Sequence, residues 1–321
     1  MKLLHFAISL LLAASFQATA NEPFPNKAIN LIVGNPPGGA SDINARILVE
    51  PWSSALKQPV IVLNRPGAGG AIGAAQVATA KPDGYNLLLA LSSVIVAPEA
   101  EAVSGRKSLY ELNQLEPIAL ISSDPMIVVV RSESPYQTMD DLIKAAKEKP
   151  NTITYSSSGN FGPIHLSVEM LAYQAGVKFA QIPFGGGGPS MIALLGGQVD
   201  FTTAAPSVAS QQIASGKVRP LAISSGKRLP AFPDIPTYRE VGYNAEYYIW
   251  AGIYAPAKTP ASIVGTLRES LKKATATPQY IESMRKAGIF MDYRDAPEFK
   301  AFANEDGQRM LKVIRSIGKI D

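Results

Sequence analysis

The chain has 321 residues, 46% of them hydrophobic, with no cysteine, two histidines and a formal net charge of +4. Thiol chemistry and disulfides are excluded, and a zinc site would have to be built mostly from carboxylates. The basic residues are scattered, densest between Arg268 and Lys319, and no basic stripe interleaved with aromatics occurs, which argues against a nucleic-acid partner.

Lys2, the apolar run 6–16 and Ala18-Thr19-Ala20 form the n-region, h-region and small-x-small cleavage pattern of a secretory signal peptide. Residues 1–20 are therefore expected to be removed and the protein to reside in the periplasm. An uncleaved anchor helix is the alternative, but the apolar run is about half the length that spans a bilayer. A mature chain of 301 residues is long enough to divide into two lobes.

From residue 29 onward, short Val- and Ile-rich runs alternate with helical patterns, the signature of βαβ units and mostly parallel sheets. Residues 29–33 read as a strand and 41–56 as a helix with Ile43 and Ile47 inward. A strand over 60–63, a helix over 71–80 and a strand over 85–91 follow. Segment 117–131 is almost continuously apolar except for Ser122-Ser123-Asp124-Pro125, a break that suits a chain leaving one lobe for another. Thr138 with Asp141 three residues later is a capping box. Then come a strand over 152–155, helices over 163–175 and 189–195, strands over 199–203 and 218–224, and a return strand over 247–255. Three helices end the chain. Thr259-Pro260 and Thr277-Pro278 each read as an N-cap followed by a first-turn proline. Ile263, Leu267 and Leu271 mark a buried face in the first of them. The fold class is α/β, with residues 21–123 and 248–321 in a discontinuous first lobe and 124–247 in an inserted second lobe. Two crossings imply a hinge that closes over a ligand.

Three loops follow strands and open helices, where free backbone N–H groups gather. In the first, Gly38 and Gly39 let backbone approach an anion, beside Ala40, Ser41 and Asp42. The alternative is a tight turn capped by Ser41 or Asp42; Asp42 also suits holding water or accepting from a ligand amine. The second, Asn64 to Gly73, superficially resembles a dinucleotide fingerprint. No acidic residue ends the next strand, so its glycines are read as close helix packing and no cofactor is expected. The third, Ser156 to His165, offers the hydroxyls of Ser157 and Ser158, Gly159 and the Asn160 amide, donors suited to a carboxylate. A generic polar turn is its alternative. The run Gly185 to Gly188 reads as a mobile connector or as backbone lining of the cleft. Trp250 reads as core or hinge packing before ligand platform. His165, the only histidine after residue 20, invites a hydrolase reading with Ser157 or Ser158. No Gly-x-Ser-x-Gly elbow accompanies it, so no catalytic residue is assigned.

Eight ordered blocks, among them Pro36-Pro37-Gly38-Gly39, Asn64-Arg65-Pro66-Gly67, Lys81-Pro82-Asp83-Gly84-Tyr85, Leu195-Gly196-Gly197-Gln198-Val199-Asp200 and Phe232-Pro233-Asp234-Ile235-Pro236, resemble the Bug family of tripartite tricarboxylate transporter substrate-binding proteins. The resemblance implies two Rossmann-like lobes of the periplasmic-binding-protein type II, or Venus-flytrap, kind. It implies a carboxylate held between Gly38, Gly39, Ala40 and Asp42 on one jaw and Ser157, Ser158, Gly159 and Asn160 on the other. Ser92, Ser93, Ala204 and Ser207 would line the middle. The implied partners are a small carboxylate, a membrane transporter or a sensor kinase, with the binding protein monomeric. The chain departs from the family at Gly34-Asn35, where Pro-Phe is usual, and at Phe184-Gly185-Gly186, where many relatives carry Tyr-Lys-Gly.

Overall fold

The computed structural model describes residues 23–317. The signal-peptide assignment falls outside them. Two β-sheets organise the chain. The first half of sheet one is a βαβ pattern with parallel strands: β1 (Ile29–Val33), α1 (Ala40–Leu56), β2 (Val60–Asn64), α2 (Ala71–Ala78) and β3 (Asn86–Leu91), followed by α3 (Ala97–Val103). Strand β4 (Leu115–Pro125) ends this portion, and a single residue, Met126, separates it from β5 (Ile127–Arg131) of sheet two. The polar tetrad 122–125 thus lies inside a strand, and the change of sheet comes one residue later than the expected break.

Sheet two holds α4 (Met139–Glu148), β6 (Thr154–Ser157), α5 (Pro163–Ala175), β7 (Ala180–Pro183), α6 (Gly187–Leu195), β8 (Phe201–Ala204), α7 (Pro206–Ala214) and β9 (Val218–Ile223) around it. The chain returns on β10 (Tyr248–Pro256). It ends with α8 (Ala261–Thr275), α9 (Pro278–Lys286), β11 (Met291–Asp295) and α10 (Ala296–Ile317) on sheet one. The strand orders are β11-β4-β10-β3-β1-β2 and β7-β6-β8-β5-β9. The architecture is a two-lobe α/β fold, one lobe about each sheet.

The expectation of mostly parallel sheets is corrected. Strand β1 runs parallel to β2 and β3, and β6 parallel to β7 and β8. The strands entering from the other lobe run the opposite way: β10 is antiparallel to β3 and β4, and β5 antiparallel to β8 and β9. A chain that crosses directly between two sheets needs no helical crossover and enters against the grain.

Strand alternation shows how the second sheet is buried. Val128 and Val130 join one apolar cluster, and Ile127 and Val129 join the other, so helices cover both faces of β5. On α1 the fully buried apolar positions are Ala45, Leu48 and Trp52, and Ile43 and Ile47 are only half-buried against the core. Trp250 is core: its indole N–H donates to Asp306 Oδ2 at 2.8 Å, and its ring meets Phe299 edge-on. The caps divide. Thr138 and Asp141 form the capping box, and Thr277 caps α9 through the Tyr280 N–H. Thr259 does not cap α8: its hydroxyl donates to Pro256 O, and Pro260 occupies the cap position.

Candidate functional site

Four helices begin around one cavity of about 30 Å³ between the lobes. Ala40, the first residue of α1, comes from the first lobe. Pro163 and Gly187 open α5 and α6, and Ala205 immediately precedes α7. Ser158 and Ile164 flank the start of α5, and Ala204 and Val208 flank the start of α7. Met126 and Ile249, both on the segments that cross between sheets, form the floor. No lysine, arginine or histidine lines the space. Each helix N-terminus carries about half a positive charge, so the potential there is positive without a cation.

The loop before α1 is braced by its own side chains. Gly38 takes φ +79°, and its N–H donates to Asp42 Oδ2 at 3.1 Å. The same oxygen accepts from Arg46 Nε at 2.9 Å, and Oδ1 accepts from Asn64 Nδ2 at 3.0 Å. Ser41 Oγ donates to Asn35 Oδ1 at 3.1 Å. Burial works against the Asp42 charge, but the bonds from Arg46, Gly38 and Asn64 outweigh it and hold the carboxyl below its ordinary range. Asp42 therefore shapes the loop, and its acceptor sites are engaged within it. Gly39 caps α1 in an extended conformation with no side-chain bond, which leaves the first-turn N–H groups of Ala40 and Ser41 facing forward.

The start of α6 faces them. This helix begins at Gly187, two residues before the expected Pro189, so Gly187 and Gly188 supply first-turn donors. Pro189 is accommodated because that N–H has no intrahelical partner in any case. A β-carbon on Gly39 would lie 3.8 Å from Gly187 N and 3.9 Å from Gly188 N. A second contact between lobes runs through Gly69, whose β-carbon would stand 3.3 Å from Asn160 O. Ser93 Oγ donates to Gly69 O at 3.1 Å and so fixes that loop from behind.

Of the residues expected from sequence, Ala40, Ser158 and Ala204 line the cavity. Gly38 and Gly39 form the rim against the 186–188 run, and Gly159 and Asn160 form the rim against Gly69. The direct backbone contacts between the lobes join the Gly38-Gly39 loop to the glycine run and Gly69 to the Gly159-Asn160 loop, while Ala40 and Ser158, one from each expected jaw, line the same cavity. Ser92 Oγ lies 3.3 Å from Tyr247 OH, in the segment returning to the first lobe. Ser157 Oγ accepts from Gln181 Nε2 at 2.8 Å, within the second lobe. Ser207 is the second residue of α7, with its Oγ buried and without a hydrogen-bond partner. Met126, Ile164, Val208 and Ile249 were not anticipated. The one available signal for α7 was Ala205-Pro206, a proline suited to the first helical position.

The hydrolase alternative lacks its geometry. His165 is 2% exposed, and its Nδ1 accepts the Phe161 N–H at 2.8 Å. Its Nε2 faces Glu169 Oε1 at 3.8 Å. Burial pushes its pKa down to about 4. Ser158 Oγ accepts from Ile164 N at 3.2 Å. No hydrogen bond joins His165 to Ser157 or Ser158, so the imidazole braces the loop as a neutral acceptor.

Comparison with known proteins places these features in context. A family model described as the tripartite tricarboxylate transporter family receptor matches residues 44–319. A Cupriavidus necator protein, described as the UPF0065 protein in the gbd 5' region, is 35% identical over 308 residues, covering 96% of this chain and 92% of its own. The solved structure of the periplasmic binding protein BugD superposes with a TM-score of 0.86 at 33% identity, covering 92% of this chain and all of that one. MatC from Rhodopseudomonas palustris, solved with bound malate, superposes with a TM-score of 0.84 at 26% identity, covering 91% of this chain and 100% of its own.

Proposed function

This chain belongs to the tripartite tricarboxylate transporter receptor family, and we propose that it captures a small carboxylate between its lobes in the periplasm and presents it to a membrane transporter or a sensor. It is a solute-binding receptor and not an enzyme. The observation that carries the ligand class is the meeting of helix N-termini from both lobes at one cavity with no cationic side chain. Backbone N–H groups there replace the hydration of an anion, and hydrogen bonds to a charged group are worth about 1.5–3 kcal/mol each. The helix dipole adds only about 0.3–1 kcal/mol, so donor placement decides affinity. The malate bound to MatC is a solute of the same chemical class.

In this reading the lobe about sheet one moves against the lobe about sheet two, turning at Met126 and at the segment between β9 and β10. One chain supplies both jaws, so the site needs no residue from a second copy. Isothermal titration of the mature protein with a panel of carboxylates and their methyl esters tests it. Saturable binding of acids and not of esters is expected. Equal binding of the esters, or binding of no acid, contradicts it.

A further inference from the structure

The turn between α9 and β11 belongs to the first lobe, yet it rests on the second. Ile289 is buried in the larger apolar cluster, which holds the core of sheet one. Phe290, the next residue, packs against the smaller cluster instead. Among the described residues, the other members of that smaller cluster all lie in the second lobe, between Ile127 and Ile235. It is the layer beneath α6 and α7, through Met191 and Leu194 of the one helix and Ala209 of the other. Both helices begin at the cavity between the lobes. Two residues before Phe290, Gly288 takes φ +70° against α7. A β-carbon there would stand 3.0 Å from Ser210 Oγ and 3.7 Å from Pro206 Cβ.

The turn is anchored where the chain changes lobes. The Ser123 N–H donates to Phe290 O at 3.1 Å, and the Phe290 N–H donates to Asp124 Oδ1 at 2.7 Å. Both partners stand at the end of β4, just before Met126. The main chain of Phe290 is thus tied to the first lobe by two directional bonds, while its ring sits on the second lobe through contacts that have no direction. Such a contact resists separation and permits turning. We infer that Phe290 is the bearing on which the second lobe turns, a positioning residue that sets the angle at which the starts of α1 and α6 meet. The bearing does not depend on the carboxylate reading above; its effect on ligand capture rests on it. A fixed angle keeps the Gly187 and Gly188 amides opposite those of Ala40 and Ser41, and a loose one lets them drift apart.

The test uses the distance between the lobes in the ligand-free mature protein. The chain has no cysteine, so spin labels go only where cysteines are introduced. Glu50→Cys on α1 and Lys144→Cys on α4 are exposed helical sites, one on each lobe. Pulsed dipolar electron resonance reads the distribution of distances between them. Phe290→Ala is expected to broaden that distribution, and Phe290→Leu, which keeps an apolar contact, to return it toward the wild-type width. An unchanged width in Phe290→Ala overturns the inference even where the melting temperature falls, because a ring with a purely structural role gives that result. Where Phe290→Ala does not fold, Gly288→Ala decides. Its added β-carbon presses on Ser210 at a φ that alanine disfavours, so the mean distance is expected to shift, and an unshifted mean overturns the bearing. Calorimetry with the panel of acids keeps the two readings apart: if none binds the wild type, the carboxylate reading fails and the bearing is still decided by the distances.

Discussion

Gly188 of the second lobe rests on Gly38 of the first: a β-carbon at 188 would stand 3.2 Å from the Gly38 carbonyl carbon. It would also stand 3.2 Å from Pro37 O, so both neighbours are backbone and neither can swing aside. Gly188→Ala is expected to leave the ligand-free protein as stable or slightly more so, because alanine favours a helix over glycine by about 1 kcal/mol or less. Affinity for the carboxylate should fall by about 1–2 kcal/mol, since closure is overpacked. Calorimetry paired with thermal unfolding of the ligand-free protein checks it. Lost stability with unchanged affinity contradicts a role in closure.

Asp42 offers a second test. Its folded pKa lies below 3.8, so its stabilising contribution is present above that value and is lost as pH falls through the lower folded value. Asp42→Ala leaves the Gly38 N–H without its acceptor, removes one of the two acceptors of the Asn64 amide, and is expected to cost about 1–3 kcal/mol of stability. Binding should weaken as well, because the loop that aims the Ala40 and Ser41 amides loses its brace. Unfolding by urea and titration with ligand measure the two effects separately.

His165 and Asp124 pull stability in opposite directions with pH. The unfolded histidine takes up a proton near pH 6.5 and the folded one only near 4, so its contribution is complete above 6.5 and shrinks as pH falls from 6.5 toward 4. Asp124 is 1% exposed, accepts the Phe290 N–H at 2.7 Å, and is pushed up to about 8 by burial. Folded Asp124 stays protonated while the unfolded one ionises above 3.8. Its contribution therefore falls as pH rises from 3.8 toward 8. Asp124→Asn keeps an acceptor for Phe290 N and removes the titration. The variant is expected to gain on the wild type steadily between pH 5 and 8, seen in parallel melting curves. A constant difference across that range contradicts the assignment.

Because His165 is a buried, neutral loop brace, ligand affinity should be flat between pH 6 and 8. His165→Gln is expected to lose about 1–3 kcal/mol of stability, through the Phe161 N–H, and to retain binding. Hydrolysis of a model ester that disappears in this variant would restore the catalytic reading.

Much of the path was legible because the physics was local. Val- and Ile-containing runs marked β1 and β9, and Thr138 with Asp141 marked the start of α4. The Gly38-Gly39 loop announced itself through residues that allow unusual backbone. What escaped depended on contacts distant in sequence. Met126 and Ile249 were not singled out, because an apolar residue in an apolar run looks the same whether it faces a helix or a cavity. The start of α6 escaped because a glycine run resembles a connector until something packs on it. Antiparallel entry of β5 and β10 follows from lobe crossing, which no single segment encodes.

The most direct measurement is a crystal structure of the mature protein with its bound carboxylate. The account predicts closed lobes, with the carboxylate oxygens within hydrogen-bond distance of the amides of Ala40 or Ser41 and of Gly187 or Gly188. A carboxylate seated elsewhere, or at this cavity but contacting one lobe only, would contradict it.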